Sequence, residues 1–242
     1  VDGFFAGLRA VSGVAWKIER AIALFALCTA LGGCGPKAAL LVAALPEGTM
    51  AVLLGHLQRL DETNRRRIAE LDARSDWDGL ARFAEENLTR APSSAEWWLV
   101  AGYAHARAVR HLRAIECFSE AVRLAPDDMT GRYLLAESYR AAQQPQRAVL
   151  TLERALLVRR DEPLTWYLLA ESYADLGRDS QAAAAYREAL RLESGFAQAW
   201  FGLARAAARL GNAEELERAR RALEQLAPAL AAELARFAPA AR

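Results

Sequence analysis

Lysine is nearly missing from this chain. Lys17 and Lys37 are the only two among 31 basic residues, and the rest are arginine. Thirty Asp and Glu bring the net charge to +1, so the basic excess of a nucleic-acid binder is lacking and no nucleic-acid partner is expected. With alanine this abundant, the arginine usage reads as the codon bias of a GC-rich genome. Cysteine is limited to Cys28, Cys34 and Cys117, too few for a disulfide scaffold. His56, His105 and His111 are the only histidines; no two lie four apart on a helix and no Cys or carboxylate set completes them, so no metal site is expected. No Gly-x-Ser-x-Gly, phosphate loop or dinucleotide fingerprint occurs. The expectation is therefore no catalytic residue, no cofactor and no small-molecule substrate. Glycine (15) and proline (8) are too sparse for a collagen-like or disordered chain, and 53% apolar residues among 242 suit a sizeable core.

What is present falls into two unlike parts. Residues 21–31 carry no charge and follow Lys17 and Arg20. A charged stretch before a short apolar one is the pattern of a secretory signal, and eleven apolar residues fall short of the ~20 that span a bilayer. The run ends in Leu31-Gly32-Gly33-Cys34. That tetrapeptide resembles the lipobox of bacterial lipoproteins: an aliphatic residue, two small residues, then the cysteine that takes a diacylglycerol. The resemblance implies cleavage before Cys34, a leader of 1–33, and a membrane held through lipidated Cys34. Gly35 stands where Asp often signals inner-membrane retention, so the implied place is the outer membrane, facing the periplasm. Residues 1–13 do not read as the opening of a signal, and Val14 offers an alternative start. Pro36, Pro46 and Gly48 fall in a tether over 34–48.

The remainder, 49–242, repeats itself every 34 residues. Pro92 and Pro126 are one period apart; Trp98, Trp166 and Trp200 differ by two periods and one; Gly177 and Gly211 differ by one. Leu-Leu-Ala-Glu-Ser-Tyr occurs at 134–139 and again at 168–173. Ala136, Ala170 and Ala204 keep the same step. Within one frame, Trp166, Leu169, Ala170 and Tyr173 recur at i, i+3, i+4 and i+7, one face of a helix. Ala182, Tyr186, Ala189 and Leu190 define a second helix. Small residues at 170 and 182 let the two approach, and Gly177 suits the left-handed turn between them. This period and these residue types resemble the tetratricopeptide repeat. The fold expected is all-α: a right-handed α-solenoid of about five helix-turn-helix repeats, 61–94, 95–128, 129–162, 163–196 and 197–230, with a C-terminal capping helix over 229–237. A lone repeat cannot bury its apolar face, so neighbours must stack. The frames depart from the family pattern at His105 and Ala207 (for Tyr), Arg160 and Ser194 (for Pro), and Arg220 (for a large apolar residue). Leu53, Leu54, Leu57 and Leu60 suggest a further helix before the first repeat, ending at the polar run Asp61–Arg67.

In tetratricopeptide solenoids the first helix of each pair lines a concave groove, contacting ligands from the second, fifth, ninth, twelfth and thirteenth positions of the frame. By that resemblance the fifth positions are Leu99, Tyr133, Tyr167 and Phe201, and the ninth are Tyr103, Glu137, Glu171 and Arg205. They imply an aromatic ladder with an acidic middle and a basic C-terminal end, fit for a protein or peptide partner. Leu99, Tyr103, Leu134, Leu164 and Leu168 occupy the places where some eukaryotic relatives clamp a C-terminal carboxylate, so that mode is disfavoured. The reading that follows is a lipid-anchored periplasmic adaptor for an envelope complex. The alternative is a cytoplasmic or inner-membrane-anchored scaffold or regulatory subunit.

Overall fold

The computed structural model describes residues 57–237, so the expected leader, Cys34 and tether lie outside the described residues. A short 3-10 turn, Leu57–Arg59, leads into eleven α-helices: α1 (Glu62–Ala73), α2 (Trp77–Arg90), α3 (Ala95–Arg107), α4 (His111–Leu124), α5 (Met129–Ala141), α6 (Pro145–Val158), α7 (Pro163–Asp175), α8 (Asp179–Leu192), α9 (Ala197–Leu210), α10 (Ala213–Leu226) and α11 (Pro228–Phe237). Ten of these form five antiparallel pairs stacked as an α-solenoid, and α11 closes the end by packing on α9 and α10. No strand occurs among the described residues, and none of their helices is long and apolar enough to cross a membrane. Of the helix expected from Leu53 to Leu60, Leu53 and Leu54 lie outside the described residues and Leu57–Arg59 is a single 3-10 turn; the polar run then opens the first repeat, where Asp61 accepts from the Asn64 amide at 2.9 Å and caps α1, which contains Glu62–Arg67. Leu57 is fully buried ahead of it.

The turn inside each pair has one geometry. Ser75, Val109, Gln143, Gly177 and Gly211 stand one period apart, and all have φ between 54° and 70°. At each turn an amide reaches back over the helix end, as from Arg110 to the His105 carbonyl (2.9 Å) and from Gln144 to that of Tyr139 (2.8 Å). Only two of the five residues are glycine. Val109 is β-branched and 72% exposed, so it carries left-handed strain with no packing in return. Val109→Gly is expected to stabilise the chain by about 1 kcal/mol, read as a raised urea midpoint at unchanged slope. A lowered midpoint would show that the valine packs on something the strain argument ignores.

The inter-repeat loops are also tied by one bond per period. The indole Nε1 of Trp98, Trp166 and Trp200 donates to the carbonyl six residues earlier, on Pro92, Arg160 and Ser194, at 2.8–2.9 Å. At the intervening position Arg132 does the same, donating to the Pro126 carbonyl from Nη2 at 2.7 Å. The loop position contributes its carbonyl, not its side chain. That is why Arg160 and Ser194 substitute for proline without altering the turn.

Between the layers, small residues of one helix face large ones of the next. A Cβ at Gly102 would lie 2.5 Å from the Phe118 ring, and one at Gly202 would collide with the Tyr186 ring. Ala136, Ala170 and Ala204 are fully buried. At the last pair, Leu223 of α10 and Leu234 of α11 are fully buried and cluster with Ala204.

Candidate functional site

The first helices of successive pairs also meet one another: α3 touches α5, α5 touches α7, and α7 touches α9. They form one layer, which carries every groove residue expected from the sequence.

The structure does not lay these residues out as a uniform exposed ladder. Leu99 and Tyr103 are buried, at 2% and 5% exposure, and belong to the core of the N-terminal pairs. The Tyr103 hydroxyl donates to Asp72 Oδ1 on α1 at 2.7 Å, and its ring meets Trp77 edge-on. Burial pushes the Asp72 carboxyl above the ordinary range, opposed by that hydrogen bond. Tyr133 is half-buried with its hydroxyl 3.0 Å from Thr165 Oγ1 on α7. Tyr167 is half-buried and packs on Phe196 (centroids 4.9 Å) and Tyr186 (6.1 Å). Burial raises both phenols well above their usual range, so neither ionises near neutrality. Phe201 is half-buried beneath the Arg205 guanidinium, 5.9 Å from its centroid.

The charged middle is organised by a residue outside the expected set. Arg140 on α5 binds three carboxylates: Asp175 from Nε at 2.6 Å, Glu137 from Nη1 at 2.9 Å, and Glu171 from Nη2 at 3.2 Å. Its side chain is 18% exposed. Burial alone would weaken its charge, but the surrounding carboxylates outweigh burial and hold the guanidinium firmly protonated. Glu171 also accepts a short hydrogen bond from the Tyr186 hydroxyl of α8. Glu137 is exposed, while Glu171 is largely covered. An open cavity of about 390 Å³ lies beside this cluster, lined by Glu137, Arg140, Ala141, Gln143, Pro145 and Asp175. Three carboxylates against one guanidinium leave the middle of the layer acidic. Farther along, α9 carries Arg205 beside Phe201, and Arg209 pairs with Asp179 at 2.8 Å. Arg140 and Asp175 occupy the twelfth and thirteenth positions of their frames. The same frame that gave the fifth and ninth positions would have found them.

One other departure has a structural equivalent. His105 is 6% exposed, and its Nε2 lies 3.3 Å from Glu85 on the preceding helix. Tyr173, at the same frame position, donates to Glu153 at 3.0 Å, so the histidine spans the gap that tyrosine bridges elsewhere. Burial, reinforced by Arg110, holds His105 below the usual imidazole range despite Glu85. Cys117 is buried and its thiol is pushed up to about 11, which makes it an inert packing residue. Among the described residues no group of three or more His, Cys, Asp or Glu is placed to hold a metal ion.

Comparison with known proteins agrees with this architecture. The chain matches the tetratricopeptide repeat family over 78–128 and 180–215. Over 111–189 it matches the family described as anaphase-promoting complex, cyclosome, subunit 3. No curated protein sequence matches the chain. Among solved structures, a crystal structure of MamA is similar with a TM-score of 0.58 at 21% identity, covering 74% of this chain and 96% of that one. TTC0263, a thermophilic TPR protein of Thermus thermophilus, gives 0.57 at 22% identity, covering 72% and 97%. YrrB, described as a TPR protein with an unusual peptide-binding site, gives 0.56 at 18% identity, covering 70% and 88%. The matched stretches, 78–128 and 180–215, are similar to tetratricopeptide repeats, and the solved structures share the α-solenoid fold.

Proposed function

We propose that this tetratricopeptide-repeat chain is a lipid-anchored adaptor of the bacterial envelope, holding a segment of a protein partner against its inner helix layer. The observation that carries the binding half is the open acidic cavity around Arg140, bounded by α5, the α5–α6 turn and α7. A partner's Arg or Lys side chain suits it, because the carboxylates outnumber the guanidinium. The peptide-binding site named for YrrB, which has a similar fold, supports a peptide as the occupant. The anchoring half rests on Leu31-Gly32-Gly33-Cys34 after the uncharged run, and it leads to the periplasmic face of the outer membrane and to assembly of an envelope complex.

One experiment addresses both halves. Cells expressing the chain, Cys34→Ser or Glu137→Arg are labelled with a fatty acid, fractionated and probed for captured partners. Expected are label and outer-membrane location lost in Cys34→Ser alone. Capture is expected to weaken at least about tenfold in Glu137→Arg, whose side chain is exposed, with far-UV dichroism to confirm that the variant is folded. An unlabelled, soluble parent chain would reject the anchor and favour a cytoplasmic scaffold. Label at the inner membrane would favour a scaffold anchored there. Undiminished capture by Glu137→Arg would move the binding surface off the inner layer.

A further inference from the structure

The outer helices show an anomaly that the repeat itself measures. On α6, Leu150 is 49% exposed, Leu157 is 76% and Val158 is 54%. At the two frame positions of Leu150 and Leu157, α4 carries Glu116 and Arg123, α8 carries Ala184 and Arg191, and α10 carries Arg218 and Gln225. Scattered exposed leucines are ordinary, but these two lie seven residues apart and so stand one above the other on a single helix face. Only on α6 is that face apolar at both positions.

The flanks of the stripe differ in charge. At about 100° per residue, Gln146 and Glu153 fall on one side of the Leu150–Leu157 line, and Arg147 and Arg154 fall on the other. Glu153 is met by the Tyr173 hydroxyl, and Arg147 lies over the Tyr139 ring at 5.6 Å. Arg154 is exposed and makes no hydrogen bond or ion pair among the described residues. One acidic flank and one basic flank, beside an apolar line, are complementary to themselves in a single orientation. When two copies of α6 lie parallel about a dyad along their axes, the acidic flank of each faces the basic flank of the other, and leucine meets leucine. An antiparallel pair would set Glu153 against Glu153 and Arg154 against Arg154.

We infer that α6 is a self-association surface, on which a second copy of this chain docks its own α6 in parallel through Leu150 and Leu157, with Glu153 facing Arg154 across the dyad. One helix face buries less than a permanent dimer requires, so the association is weak and concentration-dependent. It leaves the inner layer open for a partner.

The test is sedimentation of the full chain in mild detergent over a concentration series, with far-UV dichroism to confirm that each variant is folded. Expected is a reversible dimer. Leu150→Glu/Leu157→Glu should be monomeric wherever the parent dimerises. Glu153→Arg and Arg154→Glu should each weaken the dimer at least about tenfold, by placing like charges together. The double swap Glu153→Arg/Arg154→Glu should restore it, a recovery that loss of a merely structural contact would not give. The inference is overturned by a parent that stays monomeric. A dimer indifferent to the leucine changes, or a double swap no better than either single one, would overturn it too. So would photocrosslinking from position 157 that yields a different polypeptide and not a second copy.

Discussion

Phe118→Ala is expected to cost ~3–5 kcal/mol, the largest loss of any truncation in the N-terminal pairs. The ring is 1% exposed and rests against the bare backbone of Gly102, where a Cβ would come within 2.5 Å. A side chain facing another side chain leaves a void that its neighbour can partly fill. Here glycine has nothing to move into the space, so the cavity persists and the cost falls high in the range. Repeats contact only their neighbours, so the damage should be local. Hydrogen exchange should accelerate in α2–α5 and change little in α9–α11. A loss below about 1 kcal/mol would mean that α3 and α4 close over the vacancy. That would remove the reason for glycine at 102.

Arg140→Met is expected to destabilise the chain by about 1–3 kcal/mol. The side chain is 18% exposed, between the cheap surface pair and the costly buried one. Methionine preserves much of its length but leaves Glu137, Glu171 and Asp175 without a cation, with Glu171 covered. Glu171→Gln in the Arg140→Met background should recover part of the loss, because one stranded charge is then removed. Arg123→Met is the control. Its pairing with Glu120 is 65% and 40% exposed, and removing it should change stability by less than about 0.5 kcal/mol. Equal effects at 123 and 140 in urea unfolding would show that the α5–α7 cluster has no special energetic standing.

The legible and illegible parts of this protein divide on one question: whether a position is read by its residue type or by its neighbours. Trp98, Trp166 and Trp200 announce the period, yet the gap at 132 looks like a lost mark. Arg132 fills it, because the loop needs a donor of sufficient reach and not an indole. Gly177 and Gly211 mark two turns; Ser75, Val109 and Gln143 adopt the same left-handed conformation unannounced. The helix pairs on either side fix the turn's path, and the wrong residue type merely raises its energy. His105 likewise takes tyrosine's place because its ring nitrogen reaches Glu85.

The candidate groove is the less legible part. Fifth and ninth positions can be counted from the period, but counting does not reveal how far each side chain is covered by the next repeat. Leu99 and Tyr103 are buried where the N-terminal pairs close over them, while Glu137 remains open. Tyr133 is held by Thr165 of the following pair, and Tyr167 by Tyr186 of its own pair and by Phe196 at the start of α9, so each is a packing element as well as a candidate groove residue.

The sequence by itself determined the repeating unit, the number of helix pairs and the need for a cap. Those follow from apolar spacing and helix-breaking residues, which act over a few positions along the chain. Only the tertiary structure decided which candidate groove residues are open, that Arg140 collects carboxylates from two repeats, and that Leu150 and Leu157 both stay exposed on one face of α6. Those depend on how closely one repeat stacks on the next. That distance is set by pairs such as Gly202 with Tyr186, which come from successive repeats and meet only when the solenoid forms.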